Sequence, residues 1–143
     1  MAAEFFLLTV FPPPHDTGQG AKGMKLLVFI LNQEEFLEEV MEAYVEAGIT
    51  GATILDSEGM GRFLAYEVPL FADFKEFMKG NKPYNKTILS IVADDSTVLR
   101  LKAILDEVVG GMDKPGTGIM FTIPVDWAAG LTKTVDDQEG RGP

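Results

Sequence analysis

Residues 25–31 have the sequence Lys-Leu-Leu-Val-Phe-Ile-Leu, which is apolar at every position after the first. A second run, residues 88–93 (Ile-Leu-Ser-Ile-Val-Ala), is interrupted only by Ser90. Short apolar runs of this kind predict buried strands. A strand with one solvated face would alternate polar and apolar side chains, so both faces of these two strands are predicted to be buried.

An amphipathic helix is predicted after each of these strands. The first spans residues 33–47, with Asn32 as its cap and Glu35 completing a capping box. The second follows the capping cluster Asp94-Asp95-Ser96 and ends at Gly110. The apolar positions with helical spacing are Phe36, Leu37, Val40, Met41, Tyr44 and Val45 in the first helix, and Val98, Leu101, Ile104, Leu105 and Val108 in the second.

Further strands are predicted at residues 51–56 and 117–125, and the third strand extends over residues 85–93. The order is β-α-β followed by β-α-β, which is typical of an α+β, ferredoxin-like βαββαβ sandwich. Its four-stranded antiparallel sheet would carry two helices on one face, leaving the second apolar face without a cover. We expect oligomerisation to cover that face; the alternative is coverage by residues 1–23 or 57–84 of the same chain.

The sequence divides into one domain with two flanking segments. Residues 1–23 contain Pro12-Pro13-Pro14 and are predicted to be a flexible leader, and residues 132–143 a disordered acidic tail. The domain spans residues 24–131. It includes a long loop, residues 57–84, for which the spacing of apolar residues predicts a short helix; these residues are Leu70, Phe71, Phe74, Phe77 and Met78.

Composition excludes several classes of function. The formal net charge is −10, from 22 acidic and 12 basic residues, and no basic stripe is present to bind nucleic acid. There is no cysteine, and the only histidine, His15, lies beside the three prolines. No apolar run approaches the roughly 20 residues of a membrane-spanning helix, and residues 1–23 lack the basic region and small-residue cleavage site expected of a secretory signal. These features predict a cytoplasmic protein that is not an enzyme, binds no metal and does not insert into membranes.

Two glycine-rich stretches are the candidate ligand site. Gly59-Met60-Gly61-Arg62 follows the second strand, and Gly116-Thr117-Gly118 precedes the fourth. Glycines let backbone N–H groups approach a phosphate or carboxylate, and Arg62 can pair with an anion. The alternative is that both stretches are ordinary turns, because Gly-x-Gly is weakly specific.

Several segments together resemble the PII signalling family over residues 24 to about 131. These are Met24-Lys25, Ala47-Gly48-Ile49-Thr50-Gly51-Ala52-Thr53, Gly59-Met60-Gly61-Arg62, Val92-Ala93-Asp94-Asp95, and Gly116 through Val125. The resemblance implies a homotrimer with its sheets turned inward and nucleotide sites between subunits. It also implies that the loop at residues 57–84 contacts a protein partner.

The sequence departs from the family at four places. Ile119 stands where the family carries a phosphate-binding lysine, and Asp126-Trp127-Ala128-Ala129-Gly130 replaces paired arginines. Phe63 replaces a glutamine used for 2-oxoglutarate and magnesium, and Tyr66 does not match the modified loop tyrosine. These departures predict weak affinity for a triphosphate. The expected ligand is a small anion or an adenine mononucleotide rather than ATP, and no further cofactor is expected.

The sequence therefore predicts a PII-like trimeric regulatory protein that senses a small anionic metabolite or nucleotide and acts through a mobile loop. Two alternatives remain on the same fold. One is a metal-responsive trimer resembling CutA, which the absence of cysteine and core histidine disfavours. The other is a small acylphosphatase-like enzyme, which would need an arginine after the first strand, where Asn32-Gln33-Glu34-Glu35 has none.

Overall fold

A computed structural model describes residues 23–73 and 84–131 of the chain. The strands are β1 (Lys25–Leu31), β2 (Thr53–Glu58), β3 (Tyr84–Val92) and β4 (Gly118–Pro124). The α-helices are α1 (Leu37–Glu46), α2 (Met60–Glu67) and α3 (Asp95–Val109). Short 3₁₀ helices occupy Glu34–Phe36 and Pro69–Phe71.

The four strands form one antiparallel sheet in the order β2-β3-β1-β4. Each half of the chain is a β-α-β unit whose two strands are separated in the sheet by a strand of the other half. This is the ferredoxin-like arrangement predicted from the sequence, and it is confirmed. Pro124 ends β4, an edge strand, where its missing N–H removes no ladder bond.

The core lies between α1, α3 and one face of the sheet. Residue pairs such as Phe29 and Ile88 face each other across β1 and β3 and are fully buried. The residues that form this core are Leu27, Phe29, Leu31, Val40, Ala43, Tyr44, Ala47, Ile49, Ile88, Val92, Leu101, Leu105 and Val109. The two helices therefore cover one face of the sheet, as the sequence predicted.

The opposite face of the sheet, which we call the open face, is also apolar. It is formed by Leu26, Val28 and Ile30 of β1, Leu89 and Ile91 of β3, and Ile119, Phe121 and Ile123 of β4. Val28 is 7% exposed because its neighbours shield it, whereas the three β4 residues are 49%, 41% and 47% exposed. The face thus remains open along β4 in a single chain.

Helix α3 begins as predicted, but the start of the first helix differs. The Asp94 carboxylate caps α3 by accepting hydrogen bonds from the Thr97 N–H at 3.0 Å and the Ser96 hydroxyl at 2.7 Å. The predicted capping box at Asn32 and Glu35 is wrong, since Gln33 precedes the first helical turn and makes no side-chain cap. In a capping box the Asn32 N–H would be the group that the Glu35 side chain reaches. In the structure this N–H donates to the Thr117 carbonyl at 3.1 Å.

The segment after β2 contains a helix closer to β2 than the sequence suggested. Helix α2 starts directly after Gly59, so the predicted glycine-rich loop at residues 59–62 is the first turn of a helix. Ala65, which lies in the second turn of this helix, is only 2% exposed. Of the residues whose spacing predicted a helix, Leu70 and Phe71 lie in a 3₁₀ turn, and Phe74, Phe77 and Met78 lie outside the described residues.

The leader and tail predictions fall almost wholly outside the described residues, which begin at Gly23 and end at Leu131. Within residues 23–73 and 84–131, no helix combines the length and apolar character needed to cross a membrane.

We expect Asp94→Ala to lower the free energy of unfolding by about 1 kcal/mol at pH 7, the usual loss for an N-cap. The hydrogen bond from the Thr97 N–H, with those from Ser96 and the Thr97 hydroxyl, lowers the pKa of Asp94 in the folded protein. Stability from a depressed carboxyl pKa is present above the unfolded value and lost as the pH falls through the folded value. The difference between wild type and variant, measured by urea denaturation, should therefore shrink below about pH 4. A difference that is unchanged from pH 7 to pH 3 would contradict this assignment.

We expect Gly118→Ala to lower the free energy of unfolding by more than ~2 kcal/mol. Gly118 has φ +146°, and a Cβ at this position would clash with the carbonyl oxygen of Ile30. Gly61→Ala is the matched control, because no atom lies within 4 Å of a Cβ there and alanine favours a helix. Thermal and urea denaturation of both variants measure the effect. Equal stability of the two variants would show that β1 and β4 do not approach as closely as described.

Candidate functional site

The two glycine-rich stretches lie at the same end of the sheet but at opposite edges. Gly59 follows β2, and Gly118 starts β4 and pairs with Leu31 at the end of β1. Because β3 and β1 lie between them and adjacent strands are about 4.8 Å apart, the two outer strands are separated by about 14 Å. One chain therefore does not bring the two stretches into a single pocket.

The first stretch presents the amino terminus of α2. Gly59 is the N-cap residue with an extended backbone, and no side chain caps the helix. Its carbonyl accepts from the Phe63 N–H at 3.2 Å, while Met60 is 77% exposed. The N–H groups of a first helical turn lack intrahelical acceptors and favour negative charge nearby. This turn can therefore offer backbone donors to an anion.

The second stretch is a tight loop that contributes through its backbone. Thr117 is 1% exposed, and its hydroxyl donates to the Gly111 carbonyl at 3.2 Å. Its own N–H donates to the Lys114 carbonyl at 3.4 Å. The side chain of Thr117 is thus committed to holding the loop. Any ligand contact from this residue has to be made by main-chain atoms.

A polar bridge spans the end of the sheet between the two stretches. Asn85 Nδ2 lies 3.7 Å from the position of a Cβ on Gly59 and donates to Asn32 Oδ1 at 3.4 Å. Since Ser57 of β2 bonds Asn85 and the Asn32 N–H bonds the Thr117 carbonyl, the bridge runs from the end of β2 to the loop before β4. It couples the two edges of the sheet without closing a pocket between them.

Hydroxyl groups extend this bridge onto the open face. Ser57 Oγ lies 2.5 Å from Asn85 Oδ1 and 2.7 Å from Thr87 Oγ1. Sequence reasoning missed Ser57, Asn85 and Thr87, and it assigned Asn32 to a helix cap. The available signal was that Asn85 and Thr87 interrupt the apolar pattern at the start of β3, two positions apart and hence on the same face.

A lysine at this end of the sheet is already paired with carboxylates. Lys86 Nζ contacts Asp56 Oδ1 and lies 3.8 Å from Glu34 Oε1. The hydrogen bond to Asp56 raises the pKa of Lys86 above its ordinary value. Lys86 therefore stays charged, and its charge is balanced locally. An anion that binds Lys86 would have to compete with these two carboxylates.

A cleft of about 620 Å³ opens at the opposite end of the sheet. It is lined by Gly48, Thr50, Gly51 and Thr53 before and at the start of β2, and by Leu26, Leu89 and Ile91 of the open face. Its volume falls within the range of ordinary small-molecule sites. Sequence reasoning used residues 47–53 as a family signature but did not identify them as a cleft.

No metal-binding cluster of three or more histidine, cysteine or carboxylate side chains occurs within residues 23–73 and 84–131. The single histidine, His15, lies outside these ranges. Helix α2 carries Arg62 at its third position, in the first turn next to the exposed backbone donors. The described groups at this end of the sheet are therefore backbone donors, neutral polar side chains and the paired charges of Lys86, Asp56 and Glu34.

One family of known proteins matches this chain. The family described as nitrogen regulatory protein P-II matches residues 24–134. A search among curated proteins found no sequence that matches the chain. Among solved structures, the chain is similar to the crystal structure of Arabidopsis thaliana PII bound to citrate, with 17% identity and a TM-score of 0.48, over 73% of this chain and 78% of that one.

The family match covers well over half of the 143 residues and includes every described strand and helix. Proteins of this family are regulatory and not enzymes. On this evidence the chain belongs to the nitrogen regulatory protein P-II family.

Proposed function

We propose that this chain is a trimeric regulatory protein that senses a small anionic metabolite or a nucleotide between its subunits. In this proposal residues 57–84 respond to the ligand and contact a protein partner. Membership of a family that is typically trimeric and interacts with proteins supports the proposal. The observation that carries it is the open face, whose apolar side chains require a cover.

The open face favours assembly for a simple energetic reason. Burial of apolar surface contributes roughly 25 cal/mol per Å², and Ile119, Phe121 and Ile123 of β4 each leave two fifths or more of their surface in water. A contiguous apolar patch on one face of a sheet is typical of a protein interface. Copies that meet through their open faces leave α1 and α3 on the outside.

The position of the glycine stretches favours a ligand site shared between copies. Within one chain Gly59 and Gly118 flank the sheet at opposite edges, so an anion that contacts both needs a second chain to supply one of them. The cleft at residues 48–53 also borders the open face, through Leu26, Leu89 and Ile91. A neighbouring copy would therefore form an additional wall for a bound molecule.

The charges at the end of the sheet that carries the glycine stretches favour a small ligand. Lys86 is paired with Asp56 and Glu34, and Ile119 occupies the position after Gly118. Each phosphate group of a bound nucleotide needs hydrogen-bond donors or positive charge. We propose backbone N–H groups and Arg62 for this role. The expected ligand is an adenine mononucleotide or a small anion, with ATP binding more weakly.

The segment after β2 has surface properties that suit a partner contact. Met60 is 77%, Phe63 53% and Leu70 83% exposed in this short stretch of chain. The segment begins at the proposed anion site, because Gly59 is the cap of α2. A ligand that binds the first turn of α2 would therefore act directly on the element that carries the exposed apolar side chains.

We expect the wild-type chain to sediment as a trimer at micromolar concentration and Phe121→Asp to shift it to a monomer. A charge in the centre of a buried apolar interface is costly, whereas Phe121 is exposed enough in one chain for the variant to fold. Leu99→Asp is the matched control, since Leu99 is 66% exposed on α3, away from the open face. Sedimentation velocity and circular dichroism distinguish dissociation from unfolding. A monomeric wild type, or a Phe121→Asp variant that remains trimeric, would refute the interface.

We expect a thermal-shift screen to find a stabilising ligand among AMP, cyclic AMP, ADP, ATP, citrate, bicarbonate and 2-oxoglutarate. At 100 times its dissociation constant a ligand adds about 2.7 kcal/mol to the free energy of unfolding. Arg62→Ala should weaken the effect at least tenfold, because it removes the proposed cationic ligand. Lys102→Ala is the control, since it removes one positive charge from the exposed side of α3.

Thr50→Phe distinguishes the two places where a ligand could bind, because a bulky side chain would fill the cleft at residues 48–53. A ligand that is lost only in Thr50→Phe binds in the cleft and not at the glycine stretches. An identical response of wild type and Arg62→Ala to every compound would remove the anion site from the proposal.

A further inference from the structure

A second apolar feature lies on the opposite side of the sheet from the open face. It is a groove between helix α1 and the edge strand β2, with a volume of about 870 Å³. Leu37, Met41 and Val45 of α1 and Ile54 of β2 form its floor. Val45 is 65% and Ile54 42% exposed, so the groove is open to solvent.

The groove exists because α1 has two apolar sides. Val40, Ala43 and Tyr44 face the sheet and are buried. Leu37, Met41 and Val45 are spaced four residues apart and therefore form a separate row along the helix. Leu37 and Met41 also pack against the core, whereas Val45 at the end of the row is 65% exposed, so packing inside this chain leaves that end of the row uncovered.

Carboxylates line the α1 side of the groove. Glu34, Glu38 and Glu42 line it at intervals of four residues, which brings like charges together along one side of the helix. Residues 33–47 contain no lysine or arginine, so no base within this helical segment offsets them. Lys86, which lies 3.8 Å from Glu34, is shared with Asp56. The groove therefore combines an apolar floor with an anionic rim.

We infer that this groove docks a basic amphipathic helix of a partner protein. Such a helix would place apolar side chains with i, i+4 spacing on the floor and lysine or arginine side chains against the glutamates. The floor from Leu37 to Val45 extends about 12 Å along α1, enough for two turns of a helix packed beside it. Helix-in-groove recognition uses this combination of apolar anchors and complementary charge.

The charge of the rim favours a foreign partner over a second copy of this chain. With 22 acidic and 12 basic residues, two copies that met at this groove would bring α1 glutamates against each other. The groove lies on the helix side of the sheet, because Ile54 pairs with Ile88 of the core. Assembly through the open face would therefore leave it accessible. The inference does not depend on trimerisation or on the anion site.

The test is a binding titration of the full chain with a labelled 18-residue helical peptide that has leucine on one face and lysine on the flanks. We expect micromolar binding that weakens as salt rises. A Val45→Ser/Ile54→Ser variant should bind at least tenfold more weakly, as should a Glu38→Gln/Glu42→Gln variant. Leu99→Ser and Glu107→Gln, on the exposed side of α3, are the matched controls and should bind as wild type does.

A peptide in which glutamate replaces every lysine should not bind. Circular dichroism checks that each variant is folded, which is expected because Val45 and Ile54 are surface residues. Equal affinity of the groove and control variants would overturn the inference, as would equal binding of the acidic peptide. A change of oligomeric state in the Val45→Ser/Ile54→Ser variant, without peptide binding by wild type, would assign the groove to a second copy instead.

Discussion

The apolar character of both faces of β1 and β3 is the constraint on which the rest of the structure depends. Successive residues of one strand, such as Val28 and Phe29, point to opposite sides of the sheet, and both are buried or nearly so. Helices α1 and α3 cover only the side of Phe29. The helices therefore bury one apolar face of the sheet. The open face stays exposed along β4.

This constraint also decides where a ligand can be held. The order β2-β3-β1-β4 sends β2 and β4 to the two edges of the sheet, and with them the two glycine-rich stretches. The close approach of Gly118 to the Ile30 carbonyl fixes β4 against β1, and the Asn32–Asn85 hydrogen bond joins the ends of the two central strands, β1 and β3. Each edge carries one of the two stretches that the proposed site combines. In the proposed assembly another copy covers the open face and supplies the second of the two stretches.

Local patterns predicted the parts of the fold that depend on neighbouring residues. The apolar run around Phe29, the cap at Asp94 and the place of Pro124 at a strand end all follow from short stretches of sequence. Long-range pairing was not accessible in this way. Asn32 looks like a helix cap, yet its N–H is used by Thr117, a residue far along the chain. An unbroken apolar run also does not show which of Val28 and Phe29 faces the helices.

The most direct test of the central account measures the distance between the two edges in an assembled sample. The chain contains no cysteine, so Met60→Cys and Lys114→Cys give unique positions for spin labels on exposed residues beside the two glycine stretches. The two singly labelled proteins are mixed, unfolded and refolded together, and examined by pulsed electron paramagnetic resonance. The account predicts dipolar coupling between labels on different chains, and its loss when both chains also carry Phe121→Asp. An absence of coupling in a folded, unmodified mixture would contradict the shared site.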